Sequence, residues 1–403
     1  MTRFLKRRSS IFLSVLAITV VSLVVSCDKF APDVKAPPTY SDATYSDVFE
    51  AFWNGMNTNY VFWDIDPTNW DQEYATYKPL FATLTSFNSA NDATAEKYFT
   101  QMTANLVDSH YTLTFQKSGN QVSPALNRKL AIDKLYPDSI YQLPATFFKN
   151  VVASKYIDPS SLIMGTDSIA NAGSKIAFTV ITGTIHNSIL YLYFSSFSFS
   201  QAVHTAPALN SFFNTLANLP AGIKGIVIDV RSNGGGDTVD LDELIGKMIG
   251  SPVTYGYSHA KSGIGRLDFS PAAPAIVSPQ SGAVALTIPI IIIADHLSIS
   301  MAEITALAVK SLPNGTFIGT TTWGANGPLL PNAYLNGGQF SVGSTNFGIS
   351  VYTSSAALKS TDGQSYEGRG IPPDIWVPET GAAYSQNDDL QLDKAIDYIN
   401  THP

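Results

Sequence analysis

Cysteine is almost absent from this 403-residue chain: Cys27 is its only one, so no disulfide can close within it. Charge is also sparse. Charged residues make up 14% against 45% apolar, and 24 basic residues face 32 acidic ones, for a net charge of −8. This composition is that of a globular chain and excludes wholesale disorder. It also leaves no basic footprint for nucleic acid, which is not expected as a partner. The six histidines show no metal-ligand spacing, and neither a metal nor another cofactor is expected. Lysine is missing between Lys310 and Lys359. Past the amino terminus no segment reaches the roughly 18 apolar residues that a membrane span requires, and there is no internal repeat.

The amino terminus is different. Arg3, Lys6, Arg7 and Arg8 precede the apolar stretch "IFLSVLAITVVSLVVS", the charge and hydropathy order of a secretory signal, read here over residues 1–26. Cys27 follows in "VVSC", which resembles the lipobox of bacterial lipoproteins. That resemblance implies lipidation at Cys27 and a place in the bacterial cell envelope, at the outer membrane or cell surface rather than the inner membrane. The alternative is a short membrane anchor with an incidental cysteine. Cleavage would remove four basic and no acidic residues, taking the net charge from −8 to −12, which disfavours adhesion to anionic lipid by charge.

Residues 27–46, rich in Pro, Ser and Thr, read as a tether. Residues 47–112 form an N-terminal helical subdomain with two apolar faces, "VFEAFWNGMNTNYVFW" and "ATAEKYFTQMTANLVD", the second capped by Asp92 or Thr94. "SHYTLTF" is a short strand, and residues 113–175 are an irregular connection. Within a core read over 176–385, strands and helices alternate from 176 to 323, which implies right-handed βαβ units, a largely parallel sheet and an α/β fold, while "GQFSVGS" and "FGISVYTSSAAL" read as a β-hairpin or meander. A helix over 386–403 ends the chain.

Two motifs carry chemistry. In "GIVIDVRSNGGGD" (225–237) three glycines follow a buried strand, and the loop is either a structural turn or a nest of N–H groups for an anion. It lacks P-loop and GxGxxG spacing. In "PIIIIADHLSISMAE" Ser298 and Ser300 sit where a strand hands over to a helix, near unpaired N–H groups that favour negative charge. Ser300 is either the helix N-cap or a nucleophile, and no G-x-S-x-G elbow surrounds it.

The ordered set "NSILYLYFSSFSF", "GIVIDVRSNGGG", "PIIIIADHLSISMAE", "FIGTTTWGANG" and "YEGRGIPPDIWV" resembles the core of the tail-specific (C-terminal processing) serine peptidases and their tricorn-type relatives. The resemblance implies a crotonase-like mixed sheet core, with Ser300 as nucleophile and the N–H groups of Gly234 or Gly235 and of Met301 as the oxyanion hole. It further implies His110, preceded by Ser109, as the histidine of the site, and Glu367 as its carboxylate. The family's lysine base falls at Ala325, so a Ser–Lys pair is not expected, and Lys310 is read as a solvated charge at the helix end. His110 becomes the expected base, with His296 as competitor, while His186, His204 and His259 are read as structural. No PDZ domain is recognisable between 116 and 175. The aromatics of "NTNYVFWDIDPTNWDQEY" either line a peptide groove or pack helices. The expected function is a lipid-anchored serine-type peptidase acting on peptides or unfolded proteins. The alternative is an inactive binding module, as in the retinoid-binding relatives of the fold. Oligomeric state is not legible.

Overall fold

The computed structural model describes residues 41–125, 143, 145–171, 174–329, 338–378 and 388–402. The expected signal, Cys27 and most of the tether lie outside the described residues. Three helices open the described chain: α1 (Tyr45–Asn59), α2 (Trp70–Phe81) and α3 (Ser89–Thr103). The cap expected at Asp92 or Thr94 is instead Asn88, whose side chain accepts the N–H groups of Ala90 and Asn91. Asp92 is buried and accepts Tyr45 Oη at 2.5 Å and Lys117 Nζ at 2.7 Å. The helix over 70–81 falls within the expected helical subdomain but outside its two named apolar faces, because only Trp70 and Phe81 of its twelve residues are buried and Pro79 interrupts its pattern.

The helices share an aromatic core with a four-stranded antiparallel sheet ordered β11-β12-β1-β2. Its strands are β1 (Thr112–Phe115), β2 (Gln121–Val122), β11 (Gln339–Gly343) and β12 (Gly348–Tyr352). Phe52 meets Phe99 edge-on at 4.9 Å, and Phe49 stacks on Phe81 at 4.8 Å. Phe347, Ile349 and Val351 close the cluster from the sheet side. Tyr60, Phe62, Trp63 and Trp70 are all buried in it, so those aromatics pack helices rather than line a groove.

The main sheet has seven strands, β14-β10-β9-β6-β5-β4-β3. They are β3 (Ile163–Asn171), β4 (Ser174–Ile185), β5 (Ile189–Phe194), β6 (Gly225–Asp229), β9 (Ile290–Ala294), β10 (Gly315–Gly319) and β14 (Ile375–Trp376). From β5 to β14 the pairing is parallel, and β3 and β4 add antiparallel strands. Strands buried on both faces read as continuous apolar runs, as "GIVID" and "IIIIA" do. Side chains alternate between two cores. Ile226, Ile228, Ile290 and Ile292 face the helices α4 (Ala206–Ala217), α5 (Val239–Leu244) and α6 (Met301–Lys310). Val227, Ile291 and Ile293 face the helical segment 145–156 and the C-terminal helix α7 (Leu390–Thr401).

Two expectations change. The region read as irregular between 116 and 173 contains the helical segment and β3, an edge strand of the core sheet. The hairpin expected of "GQFSVGS" and "FGISVYTSSAAL" is present as β11 and β12, but the second segment breaks at Thr353–Ser355, and β13 (Ala356–Ser360) joins a separate three-stranded sheet with β7 (Val253–Ala260) and β8 (Ala273–Val277). Among the described residues no helix is long and apolar enough to cross a membrane.

A buried ion triad fixes the C-terminal helix to the sheet. Arg231 is fully enclosed and donates to Asp229 (Nη2–Oδ2 2.6 Å) and to Asp389 (Nη2–Oδ2 2.7 Å), the N-cap of α7. The Phe148 ring lies 5.4 Å from its guanidinium carbon.

Candidate active site

The carboxyl ends of β6 and β9, adjacent parallel strands, bring the glycine loop and the two serines together. Such ends are where open parallel sheets place ligands. Ser298 is buried and committed to its turn: Oγ donates to Val230 O (2.8 Å) and accepts the Asp295 N–H (2.9 Å). Ser300 is only partly buried and has φ +58°, ψ −117°, a conformation that costs a non-glycine residue about 1–3 kcal/mol and persists only where its surroundings enforce it. It is the N-cap of α6, where its side chain accepts the Glu303 N–H, and the Ala302 N–H is taken by Ile299 O (3.1 Å). Glu303, three residues on, reaches back to the Ser300 N–H (3.1 Å) in the manner of a capping box.

The glycine loop enforces the serine's position. Asn233 is buried; it donates from Nδ2 to Phe194 O (2.8 Å) and accepts the Ile299 N–H at its backbone carbonyl (2.9 Å). Gly235, at φ +88°, lies so close to the serine that a Cβ there would sit 2.7 Å from Ser300 Cβ and 3.0 Å from Met301 N. The Gly235 N–H donates to Asn233 Oδ1 (2.8 Å). The N–H groups of Gly234 and Met301 have no acceptor among the described hydrogen bonds.

His110 arrives from the other sheet. Antiparallel pairing of Thr112 with Tyr352 sets residues 108–110 against 353–355. Asp108 is fully buried and accepts Thr353 Oγ1 (2.5 Å), the Ser354 N–H (2.7 Å), Ser354 Oγ (2.9 Å) and the His110 N–H (2.9 Å). Ser354 Oγ is also 3.4 Å from His110 Nδ1. Buried Glu367 accepts the N–H groups of Ser109 (2.7 Å), Asn326 (2.9 Å) and Gly327 (2.9 Å), while Ser109 Oγ donates to Gly324 O (2.6 Å). Donor atoms of Asp108, His110 and Glu367 lie within 4.8 Å of one another. The two carboxylates already face N–H and O–H donors, an arrangement suited to a proton network rather than to cation ligation.

One loop joins the halves. Four consecutive N–H groups are shared between two buried carboxylates: Gly324 (2.7 Å) and Ala325 (2.6 Å) donate to Glu303, and Asn326 and Gly327 donate to Glu367. Thr322 Oγ1 adds a fourth bond to Glu303 (2.7 Å). None of Asp108, Glu303 and Glu367 enters an ion pair among the described residues. Burial pushes Glu303 up to about 7 despite its four donors. Burial, then the charge of Asp108, holds Glu367 well above the ordinary carboxylate range. Burial lowers His110 below its usual value, opposed by Asp108. Among the described residues no hydrogen bond links His110 to Ser300.

Ala325 occupies the position expected of a lysine and is itself buried. Lys310 is not a free solvated charge: it pairs with Asp374 at the far end of α6. His296 is half-buried on the loop before Ser298. His186 sits in the β4–β5 turn, the His204 N–H donates to Asp167, and His259 packs on Phe269. The sequence reading assigned no role to Asp108, Ser354, Asn233 or Glu303. The S-x-x-E pattern of "SMAE" was a usable signal for Glu303; Asp108 and Ser354 meet only through strand pairing.

Residues 188–377 match the model of peptidase family S41. The tricorn protease of Thermoplasma volcanium is 27% identical over 193 residues, 47% of this chain and 16% of the relative. That of Thermoplasma acidophilum is 27% identical over the same length, 47% and 15% of the two chains. The match thus spans about one-sixth of these curated relatives. A solved structure of a candidate peptidase from Parabacteroides merdae shares the fold with TM-score 0.64 at 24% identity, covering 89% of this chain and 97% of its own. Mature CPAF, solved with lactacystin, does so with TM-score 0.54 at 10% identity, covering 89% and 97%.

Proposed function

Residues 188–377 belong to peptidase family S41, the tail-specific serine peptidases, and from that premise we propose that this chain hydrolyses peptide bonds through an acyl-enzyme at Ser300. The observation that carries the proposal is the strained Ser300, pressed by Gly235 and flanked by the N–H groups of Gly234 and Met301, which have no acceptor among the described residues. In this reading Ser300 Oγ attacks the substrate carbonyl, and its proton passes to the neutral His110 imidazole. The developing oxyanion accepts from Gly234 and Met301 N–H, an arrangement worth about 3–4 kcal/mol per donor. His110 then protonates the leaving amine, and water releases the acyl group by the same route reversed. Glu367, Ser109, Asp108 and Ser354 hold the histidine. Hydrogen bonds of catalytic pairs are often long without substrate and tighten when it binds.

Ser300→Ala is expected to abolish peptide hydrolysis and labelling by a fluorophosphonate probe while the chain keeps its melting point; hydrolysis at the parental rate would sink the reading. The lack of a direct His110–Ser300 hydrogen bond among the described residues favours one alternative, an inactive module that binds peptides or apolar ligands. Failure of the parent to label, together with retained peptide binding, would select it. We further propose that the peptidase acts on exported proteins from a lipid anchor at Cys27 in the cell envelope, which radiolabelled palmitate incorporation and its loss in Cys27→Ala would test.

A further inference from the structure

Beyond the glycine loop from Ser300, hydrogen bonds tie the chain to the segment after β5. The Phe197 N–H donates to Gly235 O (2.9 Å), Gly236 packs on the Phe197 carbonyl, and the Asp237 N–H returns to Phe197 O (2.9 Å). Two residues on, the Phe199 N–H donates to Asp240 Oδ2 (2.9 Å). Here a groove of about 370 Å³ opens between α4 and α5, with Phe199, Leu209, Phe213 and Val239 as apolar walls and Asp240 and Glu243 as its acids. Val239 is 68% exposed on the rim and Asp240 is only 3% exposed. Lys247 is the cation at this end: it lies 3.8 Å from Glu243 and over the Phe213 ring, and it makes no ion pair with Asp240. Burial, with Asp237 and Glu243 nearby, pushes Asp240 up to about 6, which marks a carboxylate short of positive charge.

We propose that this groove is a substrate subsite that takes a long basic side chain, its methylenes against Phe199 and Phe213 and its cation on Asp240 and Glu243. Lysine and arginine are the side chains that combine an apolar stem with a charged head. Asp240 lies five positions after Gly235, a span of at most ~18 Å. The basic residue therefore lies within about five positions of the scissile bond. The inference rests on the peptidase reading of the same site.

The test uses the full chain and a quenched-fluorescent peptide library in which each position near the scissile bond carries Lys, Leu or Glu. Expected is one position where Lys exceeds Glu by about tenfold or more in kcat/KM, the worth of one charge-assisted hydrogen bond. In Asp240→Asn/Glu243→Gln that ratio falls to about one while the melting point stays near the parental value. No position favouring Lys, or a preference that survives both changes, overturns the subsite. If the parent cleaves nothing, the peptidase reading fails separately, and calorimetry on Ser300→Ala decides the groove. Tighter binding of a lysine hexapeptide than of its glutamate twin, lost in the double variant, supports it; equal binding overturns it.

Discussion

Gly235 and Ser300 come from loops 65 residues apart, yet the space a Gly235 Cβ would need is already held by Ser300 Cβ, 2.7 Å away. In a nucleophile elbow, glycines beside the serine in sequence provide such room. Here the glycine comes from the neighbouring strand's loop, so the contact exists only once β6 and β9 are paired. Gly235→Ala would also force alanine to φ +88°. We expect a loss of about 1–3 kcal/mol in stability and loss of most fluorophosphonate labelling. Gly234→Ala meets nothing within 4 Å and should keep its melting point. Equal effects of the two changes would refute the contact.

The pH profile of kcat/KM should carry His110's signature. A base must be neutral to accept the serine proton, and burial holds this imidazole below its ordinary value of 6.5. Activity should therefore rise with pH through an apparent pKa below 6.5 and stay level up to neutral pH. An acid limb centred above 6.5 would remove His110 as the base.

Glu303 predicts a pH-dependent stability of definite sign. Burial raises its pKa in the folded chain to about 7, from an ordinary value of 4.5, so between these values the folded chain holds a proton that the unfolded chain has released. The contribution is complete below pH 4.5 and is lost as pH rises towards 7, by about 3 kcal/mol for this shift. Glu303→Gln lacks this slope and also leaves one or two N–H groups facing an amide. Urea unfolding should show the variant's deficit against the parent as larger at pH 5 than at pH 8. A deficit that grows with pH would contradict the assignment.

Arg231 supplies the cation for two enclosed carboxylates, Asp229 and Asp389. Arg231→Met should cost about 3–5 kcal/mol, because it strands two buried acids. Proteolysis should then release the C-terminal helix first, since Asp389 is its cap. Asp389→Asn, which keeps an acceptor, should cost less. A melting point unchanged in Arg231→Met would refute this.

Much of this molecule was legible in the sequence because local pattern suffices for it. Runs such as "IIIIA" can only be strands buried on both faces, and "APALNSFFNTLA" can only bury one side of a helix against them. Ser300, Gly235 and His110 were legible as residue types beside turns, with the motif order tying them to one fold. What stayed illegible depends on pairing at long range. β7 and β8 lack a clean alternation because their exposure varies along each strand. Asp108 and Ser354, 246 residues apart, meet only because β1 pairs with β12. The sequence by itself determined the chemistry on offer: a serine at a strand–helix junction, a glycine loop, a histidine and no lysine at the expected place. The motif resemblance had already singled out Ser300; tertiary structure showed why Ser298 belongs to its turn, with Oγ bonded to Val230 O and to the Asp295 N–H. It also set four successive N–H groups between Glu303 and Glu367, because only folding can desolvate two carboxylates and bring one loop to both.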